Sequence, residues 1–315
     1  MGQITNSILM IRPAVFRSNE ETVTNNYFQN DSDLNQKQVI VQAQGEFDNF
    51  VRALRREGVQ VVVVEDDPTL DTPDSIFPNN WISFHCDGRI ALYPMFAENR
   101  RRERREEVII AVEEAGFEIL EIMDYTDAEQ EDIFLEGTGS MILDRINHTA
   151  YCALSPRADN SLFLEFCMDF DLYPVVFNAY QTFENKRVPV YHTNVILCIG
   201  EGFAVVCLSC VDHPGERQKL VNQLMADGKE VIDISETQMH QFAGNMLQVI
   251  GKDQKRLVVM SQSAKESLTP SQMGQLEKHG TLIEVALPTI EKCGGGSARC
   301  MMAEIFLPKT KITTY

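Results

Sequence analysis

Cysteine, histidine and glutamate are the side chains from which covalent hydrolases are assembled, and one of each stands at a related place in this sequence. Cys300 closes the run Gly294-Gly295-Gly296-Ser297-Ala298-Arg299-Cys300. Three glycines free the backbone from the usual φ limits and let it pass close to a ligand. Arg299 directly precedes the thiol, and a neighbouring cation favours the thiolate, which is the nucleophile. The run that follows, Met301-Met302-Ala303-Glu304-Ile305-Phe306, is apolar enough to bury itself. A reactive thiol is therefore expected where a glycine loop meets a buried segment; the competing expectation is an inert core cysteine. His192 offers a general acid and base whose ordinary pKa lies near neutrality. Glu136, in Leu135-Glu136-Gly137-Thr138-Gly139-Ser140, can hold or charge that imidazole, or take protons itself if burial raises its pKa.

The elements that must position these residues recur with a fixed step. Residues 7–16 read as a strand, 17–45 as a long polar loop, 45–58 as a helix and 60–65 as a valine-rich strand. In that helix Phe47, Phe50, Val51 and Leu54 fall at i, i+3, i+4 and i+7. From residue 76 onward a hairpin, a helix and a strand follow one another and then repeat. The hairpins are expected at 76–93, 140–154, 190–209 and 246–261. The helices are expected at 100–115, 160–170, 215–226 and 270–279, and the strands at 117–123, 173–177, 230–234 and 281–286. Each unit is entered through a polar residue: Asn80, Glu136, His192, Asn245 and Cys300, in steps of 56, 56, 53 and 55 residues. Repetition of one supersecondary unit predicts a stacked or closed array. Five units suit a ring with pseudo-fivefold symmetry, in which the five entry residues converge on the axis. The last unit lacks a strand, and segment 7–16 would supply it beside 294–307 and close the ring. Residues 1–315 then form a single domain.

Composition narrows the classes of function. The chain has 315 residues, 44% of them hydrophobic, enough for a substantial core. A formal net charge of −18 argues against a nucleic-acid or anionic-membrane surface, which needs a cationic face. No signal-peptide pattern and no apolar run of membrane-spanning length is visible. The eight cysteines form no small disulfide framework, so they are expected to be reduced and the protein cytoplasmic. Cys207-Leu208-Ser209-Cys210 is a lone C-x-x-C without a second pair. In a strand its thiols would face opposite sides, so no metal site is expected there.

Phe77-Pro78-Asn79-Asn80, Glu136-Gly137-Thr138-Gly139, Ser155-Pro156-Arg157-Ala158-Asp159-Asn160, His192-Thr193-Asn194 and Gly294–Cys300 resemble, in order and across nearly the whole chain, the motif series of the pentein superfamily. That superfamily contains arginine deiminases, dimethylarginine hydrolases and amidinotransferases. The resemblance implies a five-bladed α/β propeller. It also implies a Cys300 nucleophile with His192 and Glu136 as partners, and neither metal nor cofactor. Two positions depart from the deiminase pattern, in which aspartates stand where this chain has Asn80 and Asn194. A carboxylate only accepts hydrogen bonds and grips a cationic guanidinium; an amide both donates and accepts. Two neutral amides suit an uncharged ureido group, and a site built for one pattern rejects the other. The expected reaction is citrulline to ornithine, ammonia and carbon dioxide, as in a citrulline-utilisation hydrolase branch. The alternatives are an arginine deiminase, dimethylarginine hydrolase or amidinotransferase, and a non-catalytic propeller that binds a macromolecule. Arg157 is expected to clamp the carboxylate of an amino-acid substrate, with Arg101 of Arg100-Arg101-Arg102 as second candidate. Asn245 keeps the register without an assigned role. The expected partner is a small molecule, with homo-oligomer formation left open. A lid over the site would be sought in loop 17–45.

Overall fold

The structure, a computed structural model, describes residues 2–30, 32 and 34–310. Asp31 and Asp33 of the polar stretch, with Met1 and 311–315 at the ends of the expected domain, lie outside the described residues. Five three-stranded sheets share one topology, with the first strand antiparallel to the second and the second parallel to the third. Four are built from consecutive segments: Ile82–Phe84, Arg89–Leu92 and Glu121–Asp124; Met141–Asp144, Thr149–Leu154 and Tyr173–Asn178; Leu197–Ile199, Phe203–Val206 and Glu230–Asp233; Leu247–Ile250, Arg256–Ser261 and Thr281–Val285. The fifth joins both ends of the chain. Ala303–Glu304 runs antiparallel to Ser7–Arg12, with Ile8 opposite Glu304, and Ser7–Arg12 runs parallel to Gln60–Glu65, with Ile8 beside Val61. Among the described residues no sheet closes on itself.

A tight turn can join antiparallel strands, whereas a parallel pair needs a crossover. Helices Glu106–Glu114, Asn160–Asp169, Pro214–Ala226, Pro270–Glu277 and Gln36–Arg56 supply it in the five units. The first and middle strands are largely enclosed; every residue of Leu197–Ile199 and of Phe203–Val206 is buried. Each helix turns an apolar face onto its sheet, such as Phe163 and Phe166, or Leu220 and Leu224, all fully buried.

Several elements differ from the sequence expectation. The first helix begins at Gln36, inside the stretch expected to be a loop. A reciprocal cap starts it: the Asn35 side chain accepts from the Gln38 N–H at 3.1 Å, and Gln38 Oε1 accepts from the Asn35 N–H at 3.2 Å. Its buried stripe runs back from Phe47 through Ala43 to Val39, a four-residue period masked by the intervening glutamines. The helix expected over 100–115 is two, Glu98–Arg101 and Glu106–Glu114, separated by extended backbone at Arg105. The strand expected over 117–123 forms at Glu121–Asp124, while Phe117 bridges to Lys309. A hairpin not expected from sequence pairs Tyr180–Phe183 with Lys186–Pro189, its turn made by Glu184 and Asn185, both at positive φ.

Candidate active site

Each of the five entry residues stands just before the first strand of a sheet. Pro78–Asn80, Gly137–Ser140 and Thr193–Val195 are single helical turns that follow or contain Asn80, Glu136 and His192. Asn245 precedes Leu247–Ile250, and Cys300 lies in the turn before Ala303–Glu304. All five are 3% exposed or less. Cys300, His192, Asn80 and Arg157 line one cavity together with Arg100, Asp74, Asn26, Tyr191 and the glycine run. Its free space is about 10 Å³, room for roughly one water.

His192 Nε2 lies 2.7 Å from Glu136 Oε2. The other carboxylate oxygen of Glu136 accepts the Phe96 N–H at 3.0 Å, and Arg157 and Arg100 approach Oε2 at 3.4 and 3.8 Å. Burial pushes the Glu136 carboxyl up, but Arg157, His192 and Arg100 outweigh it and hold the group well below the usual carboxylate range. Burial dominates at His192 and, although Glu136 opposes it, lowers the imidazole to about 4. The pair is thus carboxylate and neutral imidazole at neutral pH. With Glu136 accepting, the proton sits on Nε2 and Nδ1 is left as a base.

Cys300 Sγ receives two amide donors, Asn194 Nδ2 at 3.3 Å and Asn245 Nδ2 at 3.2 Å. The Asn245 amide can point only one way. Its Oδ1 accepts the Arg299 N–H at 3.1 Å and its Nδ2 donates to the Asn194 carbonyl at 2.9 Å, so backbone groups lock the second N–H onto the sulfur. Asn194 is not locked, and its buried Oδ1 has no partner among the described residues.

Arg299 does not serve the thiol as expected. Its guanidinium donates to the Met302 carbonyl at 2.8 Å and pairs with Glu304 at 3.1 Å, facing another cavity. The glycine run lines the cavity and is at the same time packed closely on protein. A Cβ at Gly296 would meet the Phe77 ring at 2.8 Å. Gly295, at φ +63°, would meet Asn26 and Gln29 at 2.7 Å. Part of the polar stretch therefore lies on the site. Asn26 and Gln29 donate to the Gly294 carbonyl, and Asn25 and the Thr22 carbonyl accept from Arg157.

Asn80 accepts from Arg100 Nη1 at 2.9 Å. Arg101, the second expected clamp, lies outside this cavity; it donates to the Met95 carbonyl and pairs with Glu129 at 3.4 Å. Its neighbour Arg100 takes the place, buried and held by Glu103 at 2.9 Å. Asp74 was also missed. Asn19 and Thr22 hold its Oδ2, while its buried Oδ1 has no partner among the described residues. Burial pushes its carboxyl up, against Arg100. Only the i, i+3 spacing of Arg100 and Glu103 hinted at a buried pair. Cys207 and Cys210 also differ from expectation: a turn at Leu208–Cys210 brings their sulfurs to 3.3 Å instead of to opposite faces. Among the described residues no cluster of three or more His, Cys, Asp or Glu could hold a metal. A larger cavity of about 660 Å³ beside Gly202 and His279 has no cysteine in its lining, and its Arg256 and Lys278 are paired with carboxylates.

Residues 12–307 match the family described as N,N dimethylarginine dimethylhydrolase, eukaryotic. No curated protein matches the chain. In fold it is similar to ArgZ, an arginine dihydrolase from the ornithine-ammonia cycle in cyanobacteria, with a TM-score of 0.73 and 18% identity over 96% of this chain and 41% of that one. The N-terminal domain of ArgZ bound to substrate matches with a TM-score of 0.70 and 18% identity, over 96% of this chain and 99% of the domain. A dimethylarginine dimethylaminohydrolase in an adduct with S-methyl-L-thiocitrulline matches at 0.61 and 14% identity, over 96% and 100%. The chain thus spans about two fifths of full-length ArgZ. At these identities the likeness to solved structures is one of fold.

Proposed function

Because the chain belongs to the eukaryotic N,N dimethylarginine dimethylhydrolase family, and with it to the pentein superfamily, we propose that it hydrolyses a non-peptide C–N bond at the ureido or guanidino carbon of an amino acid. One observation carries this reading: a thiol under two amide donors and a neutral imidazole backed by a carboxylate line a single cavity. Neutral His192 takes the Cys300 proton, and the thiolate adds to the substrate carbon. The imidazolium, stabilised by Glu136, returns the proton to the leaving amine. His192 then activates water against the thiocarbamoyl intermediate. With citrulline and one water, the sum is ornithine, ammonia and carbon dioxide.

Citrulline is the preferred substrate. Asn194 Oδ1 is an unmet acceptor beside the thiol, suited to a ureido N–H, and Asn80 brings a second neutral amide. The substrate's α-carboxylate is assigned to Arg157, released from Asn25 and Thr22, with Arg100 beside it; a cationic group is assigned to Asp74 Oδ1. That same unpartnered carboxylate oxygen favours a second reading, a guanidino substrate such as arginine, whose two successive hydrolyses would pass through the ureido stage. The five sheets are read as blades of one propeller around the entry residues, closed by the Ser7–Arg12 strand, in a cytoplasmic enzyme of a single domain.

The test is a product assay. Purified protein is incubated separately with citrulline and with arginine, and ornithine, citrulline and ammonia are quantified. Ornithine from citrulline alone supports the preferred reading. Ornithine from both supports a dihydrolase, and citrulline from arginine overturns the substrate assignment. Turnover by Cys300→Ala would sink the mechanism.

A further inference from the structure

Between the turn after Phe84 and the turn after Asp144 lies a second cavity, of about 160 Å³, which shares no lining residue with the Cys300 site. Arg145 lines it and is only 4% exposed. The three other buried arginines each have a carboxylate: Arg100 has Glu103, Arg157 has Glu136 and Arg299 has Glu304. Among the described residues the Arg145 guanidinium has neither a carboxylate within 4.0 Å nor a hydrogen-bond acceptor; it lies 4.0 Å from the centre of the Phe306 ring. Its backbone N–H alone is engaged, by Gln3. The carboxylate that acts on it, Glu304, does so only from beyond ion-pair distance and is itself paired with Arg299. A buried cation with no direct partner is unfavourable, so a partner from outside the chain is called for.

His85 supplies a second donor. Its Nε2 lies 2.8 Å from Ser83 Oγ, which lies 2.6 Å from the Tyr93 hydroxyl. Tyr93 is fully buried and has no other acceptor among the described residues for its proton. The chain is satisfied only if Tyr93 donates to Ser83 and Ser83 donates to His85 Nε2. The imidazole proton then sits on Nδ1, the nitrogen without a partner. Burial, with Arg145 and Arg89 nearby, keeps this histidine neutral. The remaining charges on the lining are nearly balanced. Arg89 is paired with the exposed Asp87 at 2.7 Å, His148 is on the exposed rim, and Asp171, the other exposed carboxylate and one in no ion pair among the described residues, disfavours a highly charged ligand.

We propose that this cavity is a binding site for a small, singly charged oxyanion, either a carboxylate or a monovalent phosphate, gripped by the Arg145 guanidinium and the His85 Nδ1–H. The guanidinium fork matches both anions. The exposed thiol of Cys86 on the same lining reports occupancy without reference to turnover. Full-length protein is titrated with sodium acetate and, separately, inorganic phosphate at constant ionic strength, and iodoacetamide alkylation of Cys86 is followed by peptide mass spectrometry. The expected result is a saturable slowing, several-fold at saturation, in one or both arms, with the responding anion identifying the source. Arg145→Gln and His85→Gln should each weaken it about tenfold or more, the effect of losing one charged or polar anchor. Two variants guard against one that fails to fold, which its circular dichroism would show. Absence of saturable protection in both arms of the wild-type protein, or equal protection in a folded Arg145→Gln protein, overturns the proposal.

Discussion

At the scale of single residues, the buried Cys300 sulfur takes its hydrogen bonds from protein amides, and a thiolate formed there in the reaction is stabilised by those donors. Asn245 is built for that, because backbone groups at both ends fix its N–H on the sulfur. Asn245→Asp keeps the shape and removes the donors. It should slow alkylation of Cys300 at pH 7 about tenfold or more, the order of a lost hydrogen bond to a charged group; an unchanged rate would leave the asparagine without this role. His192 makes a second claim measurable. A base lowered to about 4 stays neutral through mildly acid pH, so kcat/KM should hold down to that region and fall below it. An acid limb near 6.5 would show that the imidazole is not desolvated in the free enzyme. Glu136→Gln should cost about 10²–10⁴ in kcat, since the imidazolium formed in the reaction loses its carboxylate.

At the scale of elements, the helical turn Gly137–Ser140 positions two functional side chains by leaving room for them. A Cβ on Gly139 would meet the His192 ring at 2.9 Å and collide with the Asn80 side chain. Gly139→Ala should therefore reduce kcat by about 10²-fold while the circular dichroism spectrum stays unchanged, as expected when a base is displaced by about an ångström. Unaltered kinetics would mean that the turn has slack. The polar stretch 17–45 carries the weakest local pattern of any element. Its glutamines suggest a loop, whereas the Asn35–Gln38 cap and the Val39–Ala43–Phe47 stripe make its last third, from Gln36, helix. Residues such as Asn25, Asn26 and Gln29 reach the site through contacts that no local pattern encodes.

At the scale of the whole molecule, one sheet is made from both ends of the chain, so its loss should be felt globally. Ile8 is fully buried between Ala303–Glu304 and Gln60–Glu65. Ile8→Ala should lower the unfolding free energy by about 2–5 kcal/mol in a urea titration. A change below about 0.5 kcal/mol would argue that the terminal strand is dispensable. His192 also links stability to pH. Its folded pKa lies below the ordinary 6.5, so its contribution is present above pH 6.5 and is lost as pH falls from there through about 4. Across that window the urea midpoint of wild type should fall more steeply than that of His192→Gln.

The sequence by itself determined the repeating hairpin-helix-strand order, the step near 55 residues and the polar entries Asn80, Glu136, His192, Asn245 and Cys300. It could do so because apolar period, turn residues and helix stops are local signals. Only the tertiary structure decided what each side chain faces. Arg100 and Arg101 are adjacent in one helical turn, yet about 100° of rotation puts one in the cavity and the other on Glu129. Arg299 stands next to the thiol in sequence and turns to Glu304, while Asn245, 55 positions away, touches it. Burial and hydrogen-bond partners come from remote segments, so spacing could mark the residues that meet but not the bonds they make.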